Sequence, residues 1–322
     1  MKELVPLEVL GRPVEFVLVD NKSDKVESSN ATSRLIEKDK VVAIIGPMIS
    51  GSMLAAGDIC EKKQVPILGP ASTMPLTNQG KDYVFRVCYT DPFQASIAAK
   101  YCYEELNARK AAVLFDISSD YGVALGRFFK DSFESLGGSI VAFTPCNAGD
   151  QDFSAQLTAI KTANPDVIYL PAYYEEVSLI LRQARDLGLT QPMLSADGVD
   201  VPEIWDLAGP AIDGLMHTAH WHEKAGMTDI GKKYIAAYKE KYGGKEVNSF
   251  GALTADCVLL VLDAIERAGS AEPKAIRDAL EATENLEVVT GFLSIEEGDA
   301  VKAVVIREAR DGKWEFKSIV NP

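Results

Sequence analysis

The 322-residue sequence lacks several patterns that would mark an enzyme or a membrane-spanning chain. It has no GxxxxGK[ST] phosphate loop and no GxGxxG after its first predicted strands, which are the usual nucleotide-binding patterns. It also has no Ser–His–Asp order with a nucleophile elbow. No apolar run reaches the roughly 18 residues that a membrane-spanning helix needs. We therefore predict a protein with no catalytic residues and no cofactor.

Metal-binding residue types are also scarce. The five cysteines are scattered and form no CxxC pair, so we interpret them as small buried residues rather than as zinc ligands or disulfides. All three histidines lie within Met216–His222, where His220 and His222 would share one face of a strand beside Glu223. One strand supplies few ligands and no second cluster occurs, so we favour solvated histidines over a metal site.

Positive charge is in short supply. Lys and Arg number 33 against 47 Asp and Glu, which gives a formal net charge of −14. This excess of negative charge argues against nucleic acid or an anionic membrane surface as a partner. The length suggests two domains, and 47% hydrophobic residues is enough for ordinary cores.

Predicted strands and helices alternate along the chain with a spacing of roughly 25–35 residues. We predict a strand over Glu15–Val19, a helix over Lys25–Lys38 and a long helix over Ser249–Ala268. Near the C-terminus, strands are joined by an Asp311-Gly312 hairpin turn. The pattern is typical of doubly wound α/β lobes rather than of a solenoid.

The stretch from Val41 to Thr77 reads as one βαβ unit. Two short apolar runs end in Gly-Pro, and an amphipathic helix over Met53–Lys63 separates them. A right-handed crossover places both strand-end loops at the carboxyl edge of the sheet.

Those two loops contain the candidate binding residues. Ser50 and Ser52 stand where the helix begins, and Ala71-Ser72-Thr73 follows the second strand. Unpaired N–H groups at a helix N-terminus bind carboxylate or phosphate well, and the hydroxyls add donors. The alternative is that these residues only cap the helix and form the turn.

Many short segments in a fixed order carry a resemblance to a known family. They include LGRPVEFVLVDNKSD, VVAIIGP, VPILGPAST, FRV-YTDPFQ, DYGVAL, DFSAQLTAIK, NPDVIYLPAYY, LRQARDLGL and ADG. This order resembles the substrate-binding proteins of branched-chain amino acid ABC transporters, over essentially residues 10–320. The resemblance implies a periplasmic binding protein of type I, with two Rossmann-like lobes that close at a hinge on an amino acid.

The resemblance also implies how the chain is divided. Lobe 1 would contain residues 1–90 and 222–296, and lobe 2 would contain residues 91–221 and 297–322. The family implies a strand, loop and helix ahead of residue 10, after a secretion or lipoprotein signal. We therefore expect that the N-terminal strand and helix are missing from this sequence.

Eight positions acquire roles from the resemblance. Ser50, Ala71, Ser72 and Thr73 would bind the ligand α-carboxylate, which coincides with the anion site inferred above from helix and turn chemistry.

The other four positions would bind the rest of the ligand. Tyr121 would close over it, Tyr173 would meet the α-ammonium group and Asp197 would be the counter-ion of that group. Phe250 would line the side-chain pocket. Plain packing remains an alternative for Tyr121 and Phe250, and a turn-forming role for Asp197.

The function implied is capture of a branched-chain or other hydrophobic amino acid and its delivery to an ABC transporter permease. The protein would be a monomer, periplasmic or anchored outside the cell as a lipoprotein. The alternative is a sensor of the same fold for amides or other small molecules.

Overall fold

The computed structural model describes residues 8–73, 80–225 and 228–320. The chain folds into two compact units, each made of two segments. Unit 1 comprises Met1–Tyr89 and Trp221–Lys302, and unit 2 comprises Thr90–His220 and Ala303–Pro322. The chain thus passes between the units after Tyr89, His220 and Lys302.

The third passage differs in position from our expectation near Glu296. Residues 297–302 remain with unit 1. Two ion pairs link this segment to the rest of unit 1: Arg86 pairs with Asp299, and Asp256 pairs with Lys302.

The described residues contain these α-helices: α1 (Lys25–Glu37), α2 (Ser50–Lys63), α3 (Asp91–Lys100), α4 (Asp120–Ser135), α5 (Ser154–Ala163), α6 (Tyr174–Asp186), α7 (Glu203–Ala208), α8 (Asp229–Lys241), α9 (Ser249–Ala268) and α10 (Pro273–Glu281). A π-helical turn, Tyr101–Glu105, continues α3. None of the helices in these described ranges is both long enough and apolar enough for a membrane crossing.

The strands of the same residues are β1 (Glu8–Val9), β2 (Arg12–Pro13), β3 (Ile44–Ile45), β4 (Ile67–Gly69), β5 (Val84–Arg86), β6 (Lys110–Asp116), β7 (Ser139–Cys146), β8 (Val167–Leu170), β9 (Met193–Ser195), β10 (Leu215–Ala219), β11 (Leu286–Val288), β12 (Gly291–Leu293), β13 (Ile295–Glu296), β14 (Asp299–Ala300), β15 (Val304–Arg310) and β16 (Lys313–Val320).

Unit 1 is built on a parallel sheet of order β3-β4-β5. Adjacent residues of β4 face opposite sides, as a strand requires. Ile67 packs with Met53 of α2, whereas Leu68 packs with Leu253 and Leu260 of α9. The sheet is therefore covered by helices on both faces, which is why its strands are almost wholly apolar.

Unit 2 contains a seven-stranded mixed sheet of order β16-β15-β10-β9-β8-β6-β7. Strands β6 to β10 are parallel, and β15 and β16 are antiparallel additions at one edge. Alternate residues of β6 enter two different cores, since Leu114 packs with α5 and α6 while Val113 packs with α3 and α4. Both units are thus doubly wound α/β, as the sequence predicted.

The predicted strand over Glu15–Val19 is wrong. These residues pair with no strand in the described part of the chain. Phe16 is 59% exposed and Leu18 is 96% exposed. The apolar run has the residue types of a buried strand, but a strand forms only where a neighbour accepts its backbone hydrogen bonds.

The prediction for the cysteines is confirmed. All five are free and buried: Cys60, Cys88, Cys102, Cys146 and Cys257. Burial raises the pKa of the Cys60 thiol to about 12, so it behaves as a small apolar side chain.

Candidate functional site

In unit 1, no side chain of the described residues caps the backbone N–H groups at the N-terminus of α2. The helix begins at Ser50, three residues earlier than predicted, and its N-cap residue is Ile49, whose side chain accepts no hydrogen bond. Ser50 and Ser52 are buried in the first turn, and no acidic residue is present there. The Ser52 hydroxyl has no hydrogen-bond partner in the described part of the chain. This end of the helix therefore has the donors and the partial positive charge that suit an anion.

The loop after β4 lies at the same edge of the sheet, because β3 and β4 are parallel neighbours. Ala71, Ser72 and Thr73 are all buried, and the Thr73 hydroxyl finds no partner among the described residues. Gly69 allows this loop to approach the one before α2, since a Cβ at Gly69 would stand 2.8 Å from the Pro47 carbonyl oxygen. The four residues that we predicted to bind the carboxylate thus stand at one sheet edge.

Arg86 is a residue of this region that our sequence reasoning did not assign. Its side chain is fully buried at the end of β5. The guanidinium Nη1 donates to the Ser72 carbonyl oxygen at 2.6 Å, and Nε donates to Asp299 Oδ1 at 2.6 Å. The segment FRV was visible in the sequence, but nothing local indicated that its arginine would be buried beneath the loop.

Phe250 is also in unit 1, in the first turn of α9. Its side chain is partly buried. Asn248 caps this helix by accepting a hydrogen bond from Gly251 N at 2.7 Å. The helix start thus fixes the backbone position of Phe250, and its role in a ligand pocket stays a prediction.

In unit 2, Asp197 is the centre of a buried hydrogen-bond network. It follows β9 in a short 3-10 turn and is 4% exposed. Its Oδ1 accepts from the Tyr121 hydroxyl at 2.8 Å and from Gln94 Nε2 at 2.6 Å. Its Oδ2 lies 3.0 Å from His220 Nε2. The donors on Oδ1 are neutral, so they orient the carboxylate without supplying a compensating cation.

The two predicted tyrosines belong to the same network. Tyr121 lies in the first turn of α4, which begins at Asp120 because Ser119 caps it. Its ring stacks on Tyr173 with centroids 5.0 Å apart, and its hydroxyl accepts a hydrogen bond from Gly198 N at 2.9 Å. Burial and the nearby Asp197 charge raise the pKa of Tyr121 well above its ordinary value, so the hydroxyl remains a donor.

The structure therefore brings Tyr121, Tyr173 and Asp197 together, as a shared site requires. Gln94 and His220 complete the cluster and were missed as site residues. Gln94 uses its second N–H to bind Thr218 Oγ1 at 2.7 Å, so its amide is fixed between two elements of the unit. The sequence contains Gln94 in the segment YTDPFQ, but its contact with Asp197 joins residues more than a hundred positions apart.

The prediction of solvated histidines is wrong for two of the three. His217 is fully buried on β10, with its ring 4.2 Å from that of Trp314, and His220 is 4% exposed. Strand β15 pairs with β10 and β16 pairs with β15, and Trp314 of β16 packs on His217, which the sequence of β10 could not indicate. Across the residues that the structure describes, no group of three or more His, Cys, Asp and Glu side chains could hold a metal ion.

The buried His217 predicts a pH dependence of stability. Burial, and secondarily the Arg307 guanidinium, lowers its pKa from 6.5 to about 3. Below pH 6.5 the unfolded chain binds a proton here and the folded chain does not, so the free energy of unfolding falls as pH falls towards 3. The loss from this side chain is about 1.4 kcal/mol per pH unit.

We expect His217→Phe to reduce the difference in unfolding free energy between pH 7 and pH 5 by about 2 kcal/mol, measured by urea unfolding. The range above pH 5 avoids most carboxylate titration. The same pH dependence in variant and wild type would contradict the assignment of this effect to His217.

Comparison with known proteins finds similarity over most of this chain. A family model for periplasmic binding proteins matches residues 7–313. A leucine-, isoleucine-, valine-, threonine- and alanine-binding protein of Pseudomonas aeruginosa is 31% identical over 297 residues, which cover 91% of this chain and 78% of that protein.

Solved structures are similar over nearly the whole chain. A leucine binding protein LivK from Thermotoga maritima has a TM-score of 0.95 and 44% identity, covering 98% of this chain and 90% of that one. The branched-chain amino acid transporter substrate binding protein LivJ from Streptococcus pneumoniae, in complex with isoleucine, has a TM-score of 0.92 and 33% identity, covering 98% and 89%.

Proposed function

The chain belongs to the periplasmic binding protein family, and we propose that it is a non-catalytic solute-binding protein for a branched-chain or other hydrophobic amino acid. Relatives named for binding leucine, isoleucine and valine support this ligand class.

The observation that carries the proposal is the buried Asp197 carboxylate, whose Oδ1 accepts from the neutral donors Tyr121 and Gln94. Its Oδ2 lies 3.0 Å from His220 Nε2. A buried carboxylate whose orientation is fixed in this way suits a cation, and an α-ammonium group supplies one with three N–H donors. Tyr173 stacks on Tyr121 and would contribute its hydroxyl or backbone carbonyl to the same group.

The other end of the ligand has complementary chemistry in unit 1. We assign the α-carboxylate to the donors of Ser50, Ala71, Ser72 and Thr73, and the side chain to a pocket lined by Phe250. The buried hydroxyl of Thr73, which has no partner among the described residues, supports a bound anion, since a buried hydroxyl without a partner costs free energy.

These assignments give each charged end of a zwitterion its own set of partners, as in a binding protein that closes on its ligand. Charge-assisted hydrogen bonds in a site that excludes water contribute on the order of 1.5–3 kcal/mol each. Closure is then favoured only when both ends of the ligand are present.

We further propose that the protein acts as a monomer outside the cytoplasm, in the periplasm or held at the membrane as a lipoprotein. It would deliver its ligand to the permease of an ABC transporter. The similarity to a transporter substrate binding protein supports this context.

Isothermal titration calorimetry against leucine, isoleucine, valine, alanine, glutamate and simple amides tests the function. We expect binding by the branched-chain amino acids, with unchanged ligand recovered afterwards. Binding of amides with no response to any amino acid would instead support a sensor of the same fold, and conversion of the ligand would support an enzyme.

A further inference from the structure

We propose that Arg86 is the positioning residue of the carboxylate-binding loop, and that it orients the peptide groups of Ala71–Thr73 so that their N–H groups face the ligand. The inference rests on the proposed function, because it concerns how one end of that ligand is recognised. It adds a residue that does not itself contact the ligand.

Burial of the Arg86 guanidinium costs free energy unless its N–H groups are satisfied. Arg86 is fully buried, and a buried guanidinium is tolerated only where its N–H groups find acceptors. Nη1 lies 2.6 Å from the carbonyl oxygen of Ser72 and 3.4 Å from those of Ala71 and Thr73. Three consecutive carbonyls thus converge on one nitrogen, and the loop supplies a large part of the solvation that the cation has lost.

Peptide geometry determines where the N–H groups of this loop point. In a trans peptide group, the C=O of one residue and the N–H of the next point in opposite directions. Carbonyls of Ala71 and Ser72 that face Arg86 therefore direct the N–H groups of Ser72 and Thr73 away from it. Successive N–H groups aimed to one side form an anion-binding concavity. The buried Thr73 hydroxyl, for which the described part of the chain supplies no partner, lies in the same short loop.

Arg86 is itself held in place by two hydrogen bonds to the segment before Lys302. Its Nε donates to Asp299 Oδ1 at 2.6 Å, and its backbone N–H donates to the Gly298 carbonyl oxygen at 2.8 Å. Asp299 belongs to β14, the last strand of unit 1 before the chain leaves it after Lys302. Planar, forked geometry suits this bridge between a carboxylate and a row of carbonyls, and lysine cannot reproduce it.

The test uses Arg86→Lys, which keeps the charge and loses the fork. We titrate L-leucine by calorimetry and record the 1H–15N signals of the Ser72 and Thr73 amides at saturation. In the wild type, both amides should shift on binding because they donate to the carboxylate. In the variant, we expect affinity to fall about tenfold or more and the shift at saturation to fall by roughly half or more.

A matched control separates positioning from a general loss of affinity. Asp197→Asn should also weaken leucine binding, but it should leave the Ser72 and Thr73 shifts at saturation as in the wild type, because it acts on the other end of the ligand. Wild-type shifts in Arg86→Lys, at any affinity, would overturn the inference.

The same measurements distinguish failure of the proposed function from failure of the inference about Arg86. A wild-type protein that binds no amino acid refutes that function, and leucine binding without any response of the Ser72 and Thr73 amides refutes the carboxylate assignment. If circular dichroism shows that Arg86→Lys does not fold, Asp299→Asn replaces it, since Asp299 is 17% exposed and the variant keeps the arginine but weakens its anchor. We expect about threefold weaker binding and smaller amide shifts from it, and wild-type values in both would overturn the inference.

Discussion

Asp197→Ala weakens leucine binding by on the order of a hundredfold or more. The substitution removes the carboxylate that we assign to the ligand ammonium, so a bound ligand would leave a charged group buried without its counter-ion. It also frees the Tyr121 hydroxyl and the Gln94 amide, both of which donate to Asp197 Oδ1. Calorimetric titration with L-leucine measures the effect.

Two further variants separate charge from hydrogen bonding. Asp197→Asn keeps an acceptor for Tyr121 and Gln94, so we expect a loss that comes chiefly from the missing charge and remains well above tenfold. Asp206→Asn removes an exposed carboxylate of the same unit and should leave affinity unchanged. Wild-type affinity in Asp197→Ala would refute the ammonium assignment.

Asp256→Ala should lower the free energy of unfolding by roughly 3–5 kcal/mol. Asp256 lies on α9 with no exposed surface, and its Oδ2 is 3.2 Å from Lys302 Nζ, which is almost as deeply buried. Thr290 donates to the same carboxylate through its hydroxyl and its backbone N–H. Removing the carboxylate leaves the ammonium of Lys302 buried without a counter-ion, which is the costly outcome for a buried pair.

The same helix provides the control for this stability prediction. Asp263 pairs with Arg267 at 2.6 Å, but both side chains are partly exposed, so Asp263→Ala should cost at most about 1 kcal/mol. The double variant Asp256→Leu with Lys302→Met should be more stable than Asp256→Ala alone, because no charge remains buried. Urea unfolding measures all three, and equal effects of Asp256→Ala and Asp263→Ala would contradict the explanation.

Local patterns predicted the parts of the fold that depend on local physics. The bounds of α9, Ser249–Ala268, were predicted to the residue, since a capping asparagine precedes an apolar helical pattern and a left-handed glycine ends it. The βαβ unit around Ser50 was predicted with small errors at its ends, and the anion site inferred from it needed only the rule that parallel strands end at one edge.

Elsewhere the same reasoning failed for identifiable reasons. Glu15–Val19 has strand composition, yet the hydrogen bonds of a strand belong to a pair, and no described strand pairs with it. His217 was expected in solvent, but Trp314 of β16, which follows much later in the chain, packs on it. Nothing in the sequence indicated a site role for Gln94, because its partner Asp197 is distant in sequence.

The sequence by itself determined the fold class and most of the order of strands and helices, because hydrophobic periodicity, caps and strand-end loops are properties of short segments. It indicated the family through the resemblance of many such segments in a fixed order. Only the tertiary structure decided which side chains meet: Asp197 with Gln94, Tyr121 and His220, and Arg86 with Ser72 and Asp299. Burial and charge pairing are properties of the folded arrangement, since whether a polar group is satisfied depends on partners that the chain supplies from far away.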